Sequence, residues 1–247
     1  MIRPLIRILW MMLGWVMLTS LTLLLYPLSF LPEKRRPWYT RLFHLWCKIW
    51  VDALGVDLKL HQKNRHPLPR HYILIANHPS AFEDIGIPAL FPVYSLAKIE
   101  VSQWPVVGRI SMAAGTLFVH RESKESRNQA AELITRRLAE GDNIALYPEG
   151  GIKDKRLHDH FRYGAFRISM QTGIPILPLF LQYEAQDAFH WSDQTLPHKI
   201  LQFMTSANNR ANYYVYDAFD PHDFNDHESY CEEVYQQFLR WQEKHLE

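Results

Sequence analysis

Tyr72-Ile73-Leu74-Ile75-Ala76-Asn77-His78-Pro79-Ser80-Ala81-Phe82-Glu83-Asp84 is the stretch on which the fold turns. Its apolar opening is short and bounded by turn residues, so it reads as a strand; Asn77 to Pro79 reads as loop, and Ser80-x-x-Glu83 matches a helix start. Strand, loop and helix in that order is the unit of an α/β protein. In such sheets the carboxyl ends of strands carry the sites, and His78 falls there.

The same alternation continues outward on both sides. Apolar runs at 57–60, 72–76, 95–97, 116–120, 144–147, 176–182, 201–205 and 213–216 read as strands. Between them, 123–140 reads as a helix with Ala130, Ile134 and Leu138 on one face and Gly141 at its end; 226–245 carries Tyr230, Val234, Phe238 and Trp241 on another stripe. No repeat of 20 to 50 residues and no Ser- or Gly-rich linker interrupts the pattern. The expected fold is α/β, a mixed central sheet flanked by helices over 54–247, preceded by membrane-anchoring helices over 1–53.

Composition agrees with one large domain plus an appendage. Of 247 residues, 47% are hydrophobic and 21% charged, which is a globular balance. A net charge of +1 lacks the basic excess that drives binding to nucleic acid. Cys47 and Cys231 are too few for a disulfide framework and read as free thiols. Charge is unevenly spread: residues 1–53 carry net +5 and the remainder −4, so the amino-terminal fifth faces something anionic.

That fifth opens with an uncharged run from Ile8, of which 8–26 alone would reach ~28 Å as a helix, enough for the hydrocarbon layer and longer than a signal peptide's apolar core. Pro27 and Pro32 are expected to end it. A second, amphipathic helix over 38–51 sets Tyr39, Leu42, Phe43, Trp46 and Trp50 on one stripe, with Arg41, Lys48 and Asp52 off it. Beside Lys34-Arg35-Arg36, these aromatics suit a lipid headgroup layer; the alternative is a helix packed on the soluble domain. Basic residues flank both ends of the apolar run, so a full span and a hairpin in one leaflet both stay open.

His78 is a candidate general base, since imidazole titrates near neutrality and takes a proton from a hydroxyl when a carboxylate fixes its tautomer. Glu83 is the nearest suitable carboxylate. Should Glu83 serve only the capping box with Ser80, Asp84 becomes the partner, or there is none. Arg121, after an apolar strand, has the chemistry to hold a phosphate, or is a plain surface arginine. His158-Asp159-His160 lacks further ligands at zinc spacing and reads as polar loop.

Four blocks in order resemble the glycerolipid acyltransferases, the group that includes lysophosphatidic acid acyltransferase. They are Asn77-His78-x-Ser80 with an acid five after the histidine; Gly115-Thr116-Leu117-Phe118-Val119-His120-Arg121, preceded by Lys98-x-Glu100, Pro105 and Gly108; Tyr147-Pro148-Glu149-Gly150 with Phe161-x-x-Gly164; and Ile174-Pro175-Ile176-Leu177-Pro178. Two positions depart from the family. Glu83 stands where aspartate is usual, the form seen in late acyltransferases of lipid A, and Gly151-Ile152-Lys153 follows the third block where Thr-Arg is usual.

The resemblance implies acyl transfer from acyl-CoA or acyl-carrier protein to a lipid hydroxyl, with no cofactor and no acyl-enzyme. His78 with Glu83 or Asp84 would be catalytic; Ser80, Lys98, Arg121, Glu149, Gly150 and Lys153 would bind substrate, Glu149 by the acceptor's hydroxyls. Lys153, Lys155, Arg156 and Arg162 form a basic cluster able to meet an anionic headgroup, and backbone amides near 174–178 would hold the oxyanion. Thioester donors place the domain on the cytoplasmic face, in bacteria that of the inner membrane. Hydrolysis by the same pair, and a tethered lipid binder without turnover, are the competing functions.

Overall fold

The computed structural model describes residues 2–31, 37–120, 122–152, 156–190 and 194–246, with side chains from Ile6 onward. Two long helices come first, α1 (Ile2–Leu28) and α2 (Pro37–Ala53). Strands and helices then alternate: β1 (Asp57–Gln62), β2 (Ile73–Ala76), α3 (Glu83–Leu90), β3 (Tyr94–Lys98), α4 (Val107–Ala114), β4 (Leu117–Val119), α5 (Lys124–Ala139), β5 (Ile144–Leu146), α6 (Gly164–Thr172), β6 (Ile176–Tyr183), α7 (Gln186–Phe189), α8 (Leu196–Thr205), β7 (Arg210–Val215) and α9 (His227–Leu246).

The strands form one seven-stranded sheet in the order β1-β7-β6-β2-β5-β3-β4. From β6 to β4 every neighbouring pair is parallel; β7 runs antiparallel to β6, and β1 parallel to β7, so the sheet is mixed. Alternation along β2 shows how it is buried on both faces. Leu74 and Ala76 point into a core with α2, α3 and α8, while Ile73 and Ile75 point into a second core with α5, α6 and α9.

The run at 201–205, expected as a strand, is the second half of α8. Leu196, Ile200 and Phe203 recur at helical spacing and face inward, and the apolar cluster at its end hid that period. Pro27 lies inside α1, one residue before its end, while Pro32 lies outside the described residues.

α1 and α2 form an antiparallel hairpin. At their crossing Gly14 lies so close to α2 that an added Cβ would sit 2.8 Å from Ala53 Cα. Tyr39 donates to Leu25 O (3.1 Å) and Trp46 Nε1 to Thr22 Oγ1 (2.8 Å). The headgroup-layer reading of the α2 stripe is corrected here: Tyr39, Phe43 and Trp46 are buried between α1, α4 and the domain, leaving Trp38 exposed. α1 buries Leu18 and Leu25 inward but exposes Ile8, Leu9, Met12, Val16 and Leu23 outward. Over Ile6–Leu28 it is long and apolar enough to cross a membrane.

Both ends of α1 are tied to the soluble domain. Arg7 donates to Ser206 O beyond α8 (3.2 Å), and at the other end Arg109 of α4 donates to Ser29 O (3.1 Å) with its guanidinium over Phe30. The 21 residues between these ties make ~32 Å of helix, laid along the domain.

Candidate active site

The loop after β2 is locked before it reaches the histidine. Asn77 Nδ2 donates to Leu181 O (3.0 Å) and Asn77 Oδ1 accepts from Leu181 N (2.7 Å), extending the β2–β6 ladder by one side chain. His78 N donates to Glu149 Oε1 (2.6 Å), and Phe82 N to Ser80 Oγ (3.1 Å) as the chain turns into α3. The loop is thereby fixed on two neighbouring strands, which holds the imidazole in place.

His78 Nδ1 lies 3.2 Å from Glu83 Oε2. Glu83 is fully buried, and its other oxygen accepts from Tyr183 OH (2.7 Å), which lies 3.2 Å from Tyr213 OH. Burial pushes the Glu83 carboxyl well above the usual range, against the pull of Tyr183 and of the backbone amides of Glu83 and Ser80. α3 begins at Glu83 with Phe82 as its N-cap and no side-chain cap hydrogen bond. The carboxylate's side-chain contacts are thus with His78 and Tyr183, and the expected capping box with Ser80 is not what holds it. Asp84 points instead to the cavity wall, with Tyr147 OH 3.5 Å from its Oδ1. The Tyr147 ring stacks on the imidazole, centroids 4.0 Å apart and planes 7° from parallel.

His78 opens on a cavity of about 480 Å³ on the α2 face of the sheet. Phe43, Trp46 and Trp50 of α2 wall it on one side, Ile200 and Phe203 of α8 on another, and Val101 and Trp104 on a third. At ~30 Å³ for a water-sized group, it has room for on the order of sixteen methylenes, or one fatty chain. Lys98 lies on its lining, half-exposed and 3.1 Å from Glu100.

The other expected substrate residues are dispersed. Ser80 is buried and spends its hydroxyl on the loop. Glu149 stands behind His78: its two oxygens accept from His78 N and from His158 N (2.9 Å), so both are engaged by backbone amides. Burial is the main force that pushes its carboxyl up to about 7. Gly150 has φ 78°, and a side chain there would strike Arg162. Arg121, Lys153 and Lys155 lie outside the described residues. The oxyanion position expected near 174–178 is corrected: Ile176 pairs with Ile73 at the start of β2, the opposite end of the sheet from His78. Among the described residues, no group of three or more His, Cys, Asp or Glu is arranged to hold a metal.

Sequence reasoning missed Tyr147 and Tyr183 as supports of the pair, Asn77 as its anchor, and the α2 and α8 side chains as cavity wall. Tyr147 had a signal, since it adjoins Pro148-Glu149-Gly150 at the end of a strand. Tyr183 lies 100 positions from Glu83, and nothing local marks it.

A family model for Acyltransferase matches residues 57–182, about half of the chain. A lyso-ornithine lipid O-acyltransferase of Pseudomonas aeruginosa is 31% identical over 160 residues, 60% of each chain. A 1-acyl-sn-glycerol-3-phosphate acyltransferase of Neisseria meningitidis is 28% identical over 136 residues, 54% of this chain and 52% of that one. The chain thus spans three-fifths or less of these relatives' length. The crystal structure of the 1-acyl-sn-glycerophosphate acyltransferase PlsC from Thermotoga maritima superposes with a TM-score of 0.69 at 19% identity, covering 98% of this chain and 97% of that chain, so the two share a fold. With the matched segment running from β1 through β6 and containing His78, Glu83 and Glu149, the chain belongs to the Acyltransferase family.

Proposed function

We propose that the chain is a membrane-docked O-acyltransferase, which moves a fatty acyl group from acyl-CoA or acyl-carrier protein to the hydroxyl of a lysophospholipid or related lipid. The observation that carries this is a His78–Glu83 pair opening on an apolar cavity sized for one fatty chain. With Nδ1 engaged by Glu83, Nε2 takes the proton of the acceptor hydroxyl as its oxygen attacks the thioester carbonyl. Collapse of the tetrahedral intermediate releases the thiol, which leaves with that proton. Lyso-ornithine lipid and lysophosphatidate, named by the relatives, are the first acceptors to test.

The apolar outer face of α1 supplies the membrane contact. Because both its ends are tied to the domain, α1 sinks into one leaflet rather than crossing, with the catalytic domain on the cytoplasmic side where thioesters are made. A labelled acyl donor offered with a panel of lyso-lipids tests the chemistry. Transfer that His78→Ala abolishes is expected; free fatty acid released without any acceptor would mean a hydrolase.

A further inference from the structure

We propose that Tyr147 is a positioning residue for the base, holding the imidazole of His78 by face-to-face stacking and stabilising it in the charged form that proton abstraction creates. This rests on the acyltransferase reading and adds to it a third support, on the ring face, beside Glu83 at the ring edge and the backbone tie from Glu149.

The geometry is specific. A centroid separation of 4.0 Å with planes 7° apart leaves the imidazole no freedom to rotate about its own long axis without lifting off the phenol. The phenol is fixed in turn. Tyr147 follows β5, the strand beside β2, and Pro148 restricts it to an extended backbone. Tyr147 O accepts from Gly150 N (3.0 Å), and Pro148 O from Arg162 N (2.8 Å), closing the turn. An aromatic ring offers its negative face to whatever stacks on it, so a cation there is attracted and a neutral ring much less. His78 is neutral before it takes the proton and imidazolium afterwards, so the stack is stronger in the transition state than in the ground state, which raises kcat rather than tightening binding.

The test is steady-state kinetics of the full-length chain with Tyr147→Phe, Tyr147→Leu and Tyr147→Met, each checked for its melting temperature. Tyr147→Leu and Tyr147→Met are expected to lower kcat by roughly tenfold to thirtyfold with KM changed less than about threefold, and Tyr147→Phe to restore kcat to within about threefold of wild type. Unchanged kcat in both aliphatic variants overturns the proposal, as does a loss that Phe fails to rescue or that falls on KM. Wild-type protein without any acyl transfer defeats the parent reading as well, a result distinct from active wild type beside an active Tyr147→Leu.

Discussion

Glu83 and Asp84 are adjacent in sequence and divided in space, and their division predicts a rank order. Glu83 contacts the imidazole and is held from behind by Tyr183, whereas Asp84 lies on the cavity wall. Glu83→Ala is expected to cut acyl transfer by about a hundredfold to ten-thousandfold, in line with loss of an orienting carboxylate, and Asp84→Ala by less than about tenfold. Equal losses in a labelled-donor assay would mean that Glu83 does not orient the base. Glu149 carries a prediction of another kind. Its folded-state pKa of about 7 exceeds the ordinary 4.5, so it binds a proton on folding. Its contribution is complete below pH ~4.5 and is lost as pH rises through 7, up to about 3 kcal/mol. The melting temperature should therefore fall between pH 5 and 8, and Glu149→Gln should flatten that fall. The histidine and its acidic neighbours were legible because they fall within one short loop and the helix start that follows it; the tyrosines that support them come from β6 and from the end of β5, where only the folded register brings them near.

Elements read well where their period had room to repeat. The helix read at 123–140 is α5, capped by Ser123 Oγ accepting from Ser126 N (3.1 Å), and the one read at 226–245 is α9. α8 was misread because five residues, three of them apolar, do not separate a period of two from 3.6. The α1–α2 crossing is the element most exposed to a single change. Gly14→Val places a branched side chain against the Ala53 backbone and should either part the hairpin or shift it, at about 1–3 kcal/mol. A lower melting temperature is the expected result; an unchanged one would mean that the helices do not cross at Gly14.

For the molecule as a whole, the two ties on α1 bear on topology. Ile6 and Leu31, both exposed, flank the apolar stretch. With α1 in one leaflet, Ile6→Cys and Leu31→Cys in sealed vesicles should both react with an impermeant thiol reagent added on the side of the soluble domain. Labelling from opposite sides would mean a crossing helix. Cys47 and Cys231 are buried and should stay silent. The boundary expected after residue 53 rests on a change of composition, which does not show that α2 packs on α3 and α4 as well as on α1. Phe43, Trp46 and Trp50 make the inner surface of α2 part of the wall of the cavity on which His78 opens. Removing residues 1–53 would therefore open that cavity on one side, and an inactive product of such a cut would say nothing about the need for lipid.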